Sequence, residues 1–102
     1  MIPMAVPVEE AASTEVGPGC SLRHLPSSGP VRAWVADMAP GSQWPVLDVH
    51  EFGELAYVVS GELIEDGRRY GPGTYLHYPP GSSHQPRTDL GVRLFGINTT
   101  SA

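Results

Sequence analysis

The sequence predicts an all-β domain built as a closed or double-sheet antiparallel barrel, and three observations carry that expectation. Short runs rich in Val, Leu, Tyr and Trp recur along most of the chain, separated by turn signals at the regular spacing typical of sandwiches and barrels. Gly and Pro together make up more than a fifth of the 102 residues, which suits many short strands joined by turns. No segment combines helical length with helical periodicity. The count comes to about eight or nine strands, the pattern of an antiparallel barrel that closes or doubles its sheet to manage its edges.

Residues Met1 to Thr14 are small, apolar and acidic without clear periodicity. Residues 1–16 are therefore expected as an arm, either loose or laid as a swapped strand on a partner subunit, with the barrel domain over 17–102. Gly17-Pro18-Gly19 is a turn, and Cys20–Leu25 a short strand ended by Pro26 to Pro30. His24 has no carboxylate or imidazole spaced to join it and is expected at a surface or edge. Val31–Met38 is the next strand, with Val31, Ala33 and Val35 on one face and Arg32, Trp34 and Ala36 on the other.

A turn over Ala39 to Ser42 leads into Trp44–His50, where parity puts Trp44 and Val46 on the side of Asp48 and His50. Trp44 then reads either as a substrate contact at a cavity mouth or as a barrel-end core aromatic. Leu55 to Ser60 is nearly all apolar, a strand covered on both sides. Alternation sends Glu54, Ala56 and Val58 inward and leaves Leu55, Tyr57 and Val59 for a second sheet or a subunit contact. Glu62–Tyr70 is a hairpin, because Asp66-Gly67 between two short runs is the preferred type I′ turn. Arg68 and Arg69 are expected in solvent opposite Glu62 and Glu65. Thr74–Tyr78 is a strand on which Tyr75 and His77 share a face. Pro79-Pro80-Gly81 bends the chain before His84, and Asp89-Leu90-Gly91 turns it into the last strand, Val92–Ile97.

Charge and cysteine content exclude several classes of function. The net charge is −5 and there is no Lys, all six cations being Arg, so Schiff-base chemistry is out. An acidic chain without a basic cluster suits neither nucleic acid nor an anionic membrane. The single Cys20 cannot form an internal disulfide, and Met1 to Pro18 lacks the basic start and apolar core of a signal sequence. A cytoplasmic location is expected, with a small-molecule substrate or ligand as partner. A domain this short buries only about two-thirds of its unfolded surface on folding, which favours a homodimer.

The chemistry concentrates between Asp48 and Glu54. Asp48 and His50, two apart in an extended segment, share a face. Glu51-Phe52-Gly53 reads as a tight turn, after which Glu54 opens the next strand beside His50. The Pro/Gly turn at the end of the later strand delivers His84. Two imidazoles and one carboxylate form the ligand set of non-haem Fe(II) sites, and one that also suits Zn or Mn. Asp48 is read as a fourth ligand, as a hydrogen-bonding group beside the metal, or as a general base whose pKa an apolar cavity raises. His77, if its face is the inner one, is a further ligand or an acid/base near the metal; otherwise it is a hydrogen-bonded barrel histidine. Tyr75, on the same face, would then contact substrate. Arg87 either holds an anionic substrate or pairs with Asp89.

The two segments resemble the two motifs of the cupin superfamily, G(x)5HxH(x)3-4E(x)6G and G(x)5PxG(x)2H(x)3N. His50 stands for the second His of the first motif, with Glu54 and Gly61 at the expected spacings, and Gly73, Pro79, Gly81 and His84 match the second. Three positions depart: the first His is Asp48, the interval from Gly41 to it is one residue longer, and the final Asn is Thr88. The wording around Glu54 to Glu62 and Gly73 to His84 is most similar to cupins akin to the C-terminal domain of the ChrR anti-sigma factor and to small dioxygenase-like relatives. The resemblance implies a cupin-type double-stranded β-helix, a jelly-roll barrel, holding one divalent metal on His50, Glu54, His84 and Asp48. Fe(II) is favoured, with Zn, Mn or Ni as alternatives. It implies a dioxygenase-like oxidoreductase acting on a small oxygenated substrate, with a metal-dependent isomerase or cyclase, or a non-catalytic ligand-binding or sensor cupin, as the other readings. An anti-sigma role is not expected, since that family's separate sigma-binding domain has no counterpart in this sequence.

Overall fold

Strand pairing starts earlier in the chain than the sequence pattern indicates. In the computed structural model, which describes residues 1–101, Ser13–Gly17 (β1) already pairs antiparallel with Cys20–Leu25 (β2) through the Gly17 to Cys20 turn. β1 spans residues 16 and 17, and a 3-10 turn at Val8–Glu10 lies ahead of it. The chain continues through Val31–Met38 (β3), Asp48–Val49 (β4), Glu54–Gly61 (β5), Leu63–Glu65 (β6), Arg68–Tyr70 (β7), Tyr75–Tyr78 (β8), Ser83–His84 (β9) and Val92–Thr99 (β10). No α-helix occurs among the described residues, and no helix is long and apolar enough to cross a membrane.

A six-stranded sheet in the order β1-β2-β3-β10-β5-β8 forms the main layer, and two ribbons, β4-β9 and β6-β7, form the rest. Residues directly opposed in an antiparallel ladder share a face, so the register lays out the inner surface of the large sheet in rows. One row is polar and runs Arg32, Asn98, Glu54, Tyr78. The next runs His24, Trp34, Gly96, Ala56, Leu76, and a third Leu22, Ala36, Leu94, Val58. The apolar rows form the core with Cys20, Met38, Val92 and Leu63, the last reaching in from the β6-β7 ribbon and fully buried. Removal of water from this surface is the main source of stability.

The turn chemistry follows the residues. Asp66 and Gly67 both have positive φ, 49° and 73°, as a type I′ hairpin requires. Gly61, where β5 ends, has φ 77°, and a Cβ there would lie 2.0 Å from the carbonyl oxygen of Gly91; only glycine lets the two chains pass. The Trp44–His50 segment is a strand only at Asp48–Val49. Pro45 cannot donate to a ladder, parity is lost across it, and Val46 ends up 60% exposed while Asp48 and His50 point inward.

Candidate metal centre

Four side chains converge where the β4-β9 ribbon meets the polar row of the sheet. Asp48 and His84 are register partners on the ribbon, His50 follows β4, and Glu54 opens β5. The turn between His50 and Glu54 is held by hydrogen bonds from the amide of His50 to the Ser82 carbonyl and from Gly81 to the His50 carbonyl, so the Pro79 to Ser82 bend supports both histidines. The ligating atoms of Asp48, His50, Glu54 and His84 all lie within 4.8 Å of one another. His50 Nε2 and His84 Nε2 are each 3.6 Å from Glu54 Oε2, and His84 Nε2 is 3.5 Å from Asp48 Oδ2. Donors bound at about 2.1 Å to a tetrahedral ion stand roughly 3.4 Å apart, so these edges fit a metal with little movement. His50 is 2% exposed, and neither of its ring nitrogens has a hydrogen-bond partner. A buried imidazole left unpaired is costly; a cation among these donors would satisfy one of its two nitrogens.

The electrostatics of the cluster match that requirement. Burial, reinforced by the charge of Asp48, raises the Glu54 carboxyl to about 7, against a hydrogen bond from Asn98 that lowers it. Burial alone would depress His84, but hydrogen bonds to Asp48 and Glu65 and the charges of Glu65 and Glu54 lift it to about 9. His84 hydrogen-bonds Asp48 and holds that carboxyl below its usual range, although burial opposes the effect. His50 is lowered by burial. Without metal, then, a proton on His84 Nε2 does part of the neutralising that a bound cation would do.

Two further groups hold the ligands in place. Glu65 accepts from His84 Nδ1 and, at 2.7 Å, from the hydroxyl of Tyr78. Proton location on an imidazole is set by the partner of its other nitrogen; Glu65 keeps it on Nδ1 and leaves Nε2 to the cluster. On the opposite side Trp34 Nε1 donates to Asn98 Oδ1, which turns the Asn98 amide N–H toward Glu54. Gly96 makes this possible: a Cβ there would sit 2.1 Å from the Trp34 ring. The cluster forms the inner end of a cavity of about 330 Å³, walled by Leu22, Trp34, Ala36, Trp44, Ala56 and Leu94 and rimmed by His24 and Arg32.

The model of the ChrR cupin-like domain family matches residues 3–99. The chain belongs to that family. No functionally curated protein matches it. Among solved structures, this ChrR-like cupin superposes on an RmlC-like cupin from Shewanella frigidimarina with a TM-score of 0.79 at 21% identity, covering 91% of this chain and 86% of the other. It superposes on a chain of the complex between Rhodobacter sphaeroides SigE and the anti-sigma ChrR with a TM-score of 0.81 at 20% identity, covering 90% of this chain but only 50% of that one. The polyketide cyclase RemF from Streptomyces resistomycificus gives 0.81 at 18% identity, covering 98% and 81%. At these identities the likeness is one of fold.

Within the cupin barrel the expected site residues fall into two groups. Asp48, His50, Glu54 and His84 come together, and Trp44 lines the cavity beside them. Tyr75 and His77 do not join them. Tyr78 is the cross-strand partner of the inward Glu54 and His77 that of the outward Leu55, so β8 turns Leu76 and Tyr78 inward and leaves Tyr75 and His77 exposed. Arg87 also stays away from the cavity, paired with Asp89 at 3.0 Å. The raised carboxyl is Glu54 rather than Asp48, which removes the basis for Asp48 as a base of elevated pKa. Thr88 replaces the motif's Asn in a purely structural way: it is 1% exposed and donates from Oγ1 to the Glu62 carbonyl at 2.6 Å.

The sequence pattern does not mark Glu65, Tyr78 and Asn98 as site residues. For Glu65 the hairpin pattern points to the solvated arginines Arg68 and Arg69, whereas its carboxylate is turned in to His84 and Tyr78. For Tyr78 and Asn98 the information lies in which strands pair, which local pattern does not hold.

Proposed function

We propose that this cupin is a metal-dependent enzyme acting on a small oxygenated organic molecule, with Fe(II) as the metal and dioxygenase-like oxidation as the reaction. The observation that carries this reading is the convergence of two imidazoles and two carboxylates, three of them lining an apolar cavity and one imidazole buried and otherwise unpaired. His50, Glu54, His84 and Asp48 would hold the ion, which when bound supplies a Lewis acid and, as iron, redox chemistry. The chain's own residues do the rest. Glu65 holds the His84 proton on Nδ1, Asn98 donates to Glu54, and the walls formed by Trp34, Trp44 and Leu94 keep water from a bound molecule. The likeness to a polyketide cyclase supports a second reading, a redox-neutral isomerase or cyclase on Zn or Ni. We take the protein to work in the cytoplasm, where its one free thiol, Cys20, stays reduced.

The test is elemental analysis of protein purified without chelator, wild type beside Glu54→Ala and His50→Ala. About one equivalent of iron, lost in both variants while the circular dichroism spectrum is retained, followed by oxygen uptake on diketones or hydroxylated aromatic ketones, is the expected result. Stoichiometric zinc or nickel would transfer the assignment to the cyclase class. Metal uptake without turnover of any oxygenated substrate would favour a sensor, and no metal even after reconstitution would defeat the reading.

A further inference from the structure

We propose that the cavity selects a small organic carboxylate whose acid group sits on Arg32 at the mouth, while its apolar body lies along Trp34 and Trp44 and an oxygen donor reaches the Asp48, Glu54 and His84 end. The proposal rests on the metal-centre reading for its inner end alone; the carboxylate site stands on other residues. Among the side chains lining the cavity, Arg32 is the one with a permanent positive charge. Arg23, Arg69, Arg87 and Arg93 are each engaged by a carboxylate. Arg32 instead donates from Nη1 to the backbone carbonyls of Gly29 and Val31, at 3.1 and 2.9 Å. Its Nε and Nη2 hydrogens have no acidic partner among the described residues. A guanidinium fixed through one nitrogen with a free edge is a fork suited to a carboxylate.

Register sets the length of the ligand. Arg32, Asn98 and Glu54 are successive positions of one row, so Arg32 and Glu54 are two strand spacings apart, about 10 Å between Cα atoms. Charge sets its polarity. A divalent ion held by Asp48 and Glu54 is close to neutral overall, so the ligand's negative charge is favoured at the guanidinium of the mouth. His24, beside Arg32 on the rim, supplies a second donor there. A volume of about 330 Å³ is at the small end of ligand pockets and admits a single ring or a short chain. A keto or hydroxy group at one end and a carboxylate at the other, on one ring, meets all of these conditions.

Isothermal titration calorimetry of the full chain with 4-acetylbenzoate and its neutral isostere 4-acetylbenzamide tests the assignment, in wild type, Arg32→Gln and Arg68→Gln. Arg68, on the β6-β7 hairpin outside the cavity lining, controls for net charge. Wild type and Arg68→Gln are expected to bind the carboxylate about tenfold or more tightly than the amide, and Arg32→Gln to bind the two within about twofold. Equal affinities in wild type, a preference that survives Arg32→Gln, or no saturable heat from either probe would overturn the proposal. Visible absorption of added Co(II) scores the metal centre separately. Protein that takes up no cobalt but discriminates through Arg32 loses the metal reading and keeps this one, and protein that binds cobalt without discriminating does the reverse.

Discussion

The Glu65 carboxylate decides how His84 is presented, although nothing in the family motif marks it. Its contacts with His84 Nδ1 and Tyr78 are those of an outer group that orients a metal-bound imidazole, and loss of such a group typically lowers metal affinity about 10–100-fold. Glu65→Gln is therefore expected to fold normally and to bind Co(II) or Zn about tenfold or more weakly, read by competition with a chromophoric chelator; unchanged affinity would show that His84 needs no orienting partner. The raised Glu54 and His84 values give a pH prediction whose sign can be worked out. Native Glu54 keeps its proton up to about 7 whereas the unfolded carboxyl loses it near 4.5, so stability falls as pH rises through that interval. His84, raised to about 9 from 6.5, contributes stability that is complete below the lower value and lost as pH rises through the higher one. Chelator-treated protein should thus melt progressively lower from about pH 6.5 to about pH 9; below 6.5 His50, depressed by burial, contributes stability that grows as pH rises and opposes the Glu54 trend. Added zinc should reverse the trend, because ligands that must shed protons bind metal more tightly at higher pH. At this scale the ligands were legible because metal chemistry admits few residue types at short spacing. The groups that orient them were not, because any carboxylate or amide serves and only the fold says which one is near.

The strands show the same division. Alternation placed Glu54, Ala56 and Val58 inward, and Asp66-Gly67 announced its turn, because both are local rules of the backbone. The inner face of β8 was undecided from within the strand, where Tyr75, Leu76, His77 and Tyr78 offer no polar and apolar alternation; its pairing with β5 settles it. The most sensitive element is β10, which carries Asn98 and Gly96 across the middle of the sheet. Gly96→Ala would place a methyl group within the volume of the Trp34 ring. Overpacking of this kind costs about 1–3 kcal/mol, and a displaced indole also releases Asn98 from its orientation toward Glu54. The expected outcome is a lower urea midpoint together with weaker metal binding. A variant with wild-type stability and affinity would show that Trp34 is free to move off the strand.

For the molecule as a whole, the double-stranded β-helix could not be reached from periodicity alone, since β3 and β10 are neighbours in space yet far apart in sequence. The motif resemblance supplied that topology, and the motif residues are the ones that shape the site rather than the sheet order. The outer face of the same sheet leaves apolar surface uncovered. Tyr57 and Tyr75 are cross-strand partners on β5 and β8, 44% and 59% exposed, with Val59 next to them at 46%. Ahead of the 3-10 turn, Ile2 and Met4 are 93% and 78% exposed. The arm is tethered to the sheet at Glu9, which pairs with Arg93 at 2.6 Å and Arg23 at 3.4 Å, so its apolar tip extends from a fixed point. A barrel of this size has little buried surface to spare, and a second copy whose arm and outer face meet these residues would bury both. The expected result in sedimentation velocity is a species of twice the 10.9 kDa chain mass, converted to monomer by Tyr57→Glu with Tyr75→Glu. That double variant should take up Co(II) as wild type does, because both tyrosines point away from the cavity. Wild type that sediments as a monomer at all accessible concentrations would show that the exposed face and arm serve something other than a second copy of the chain.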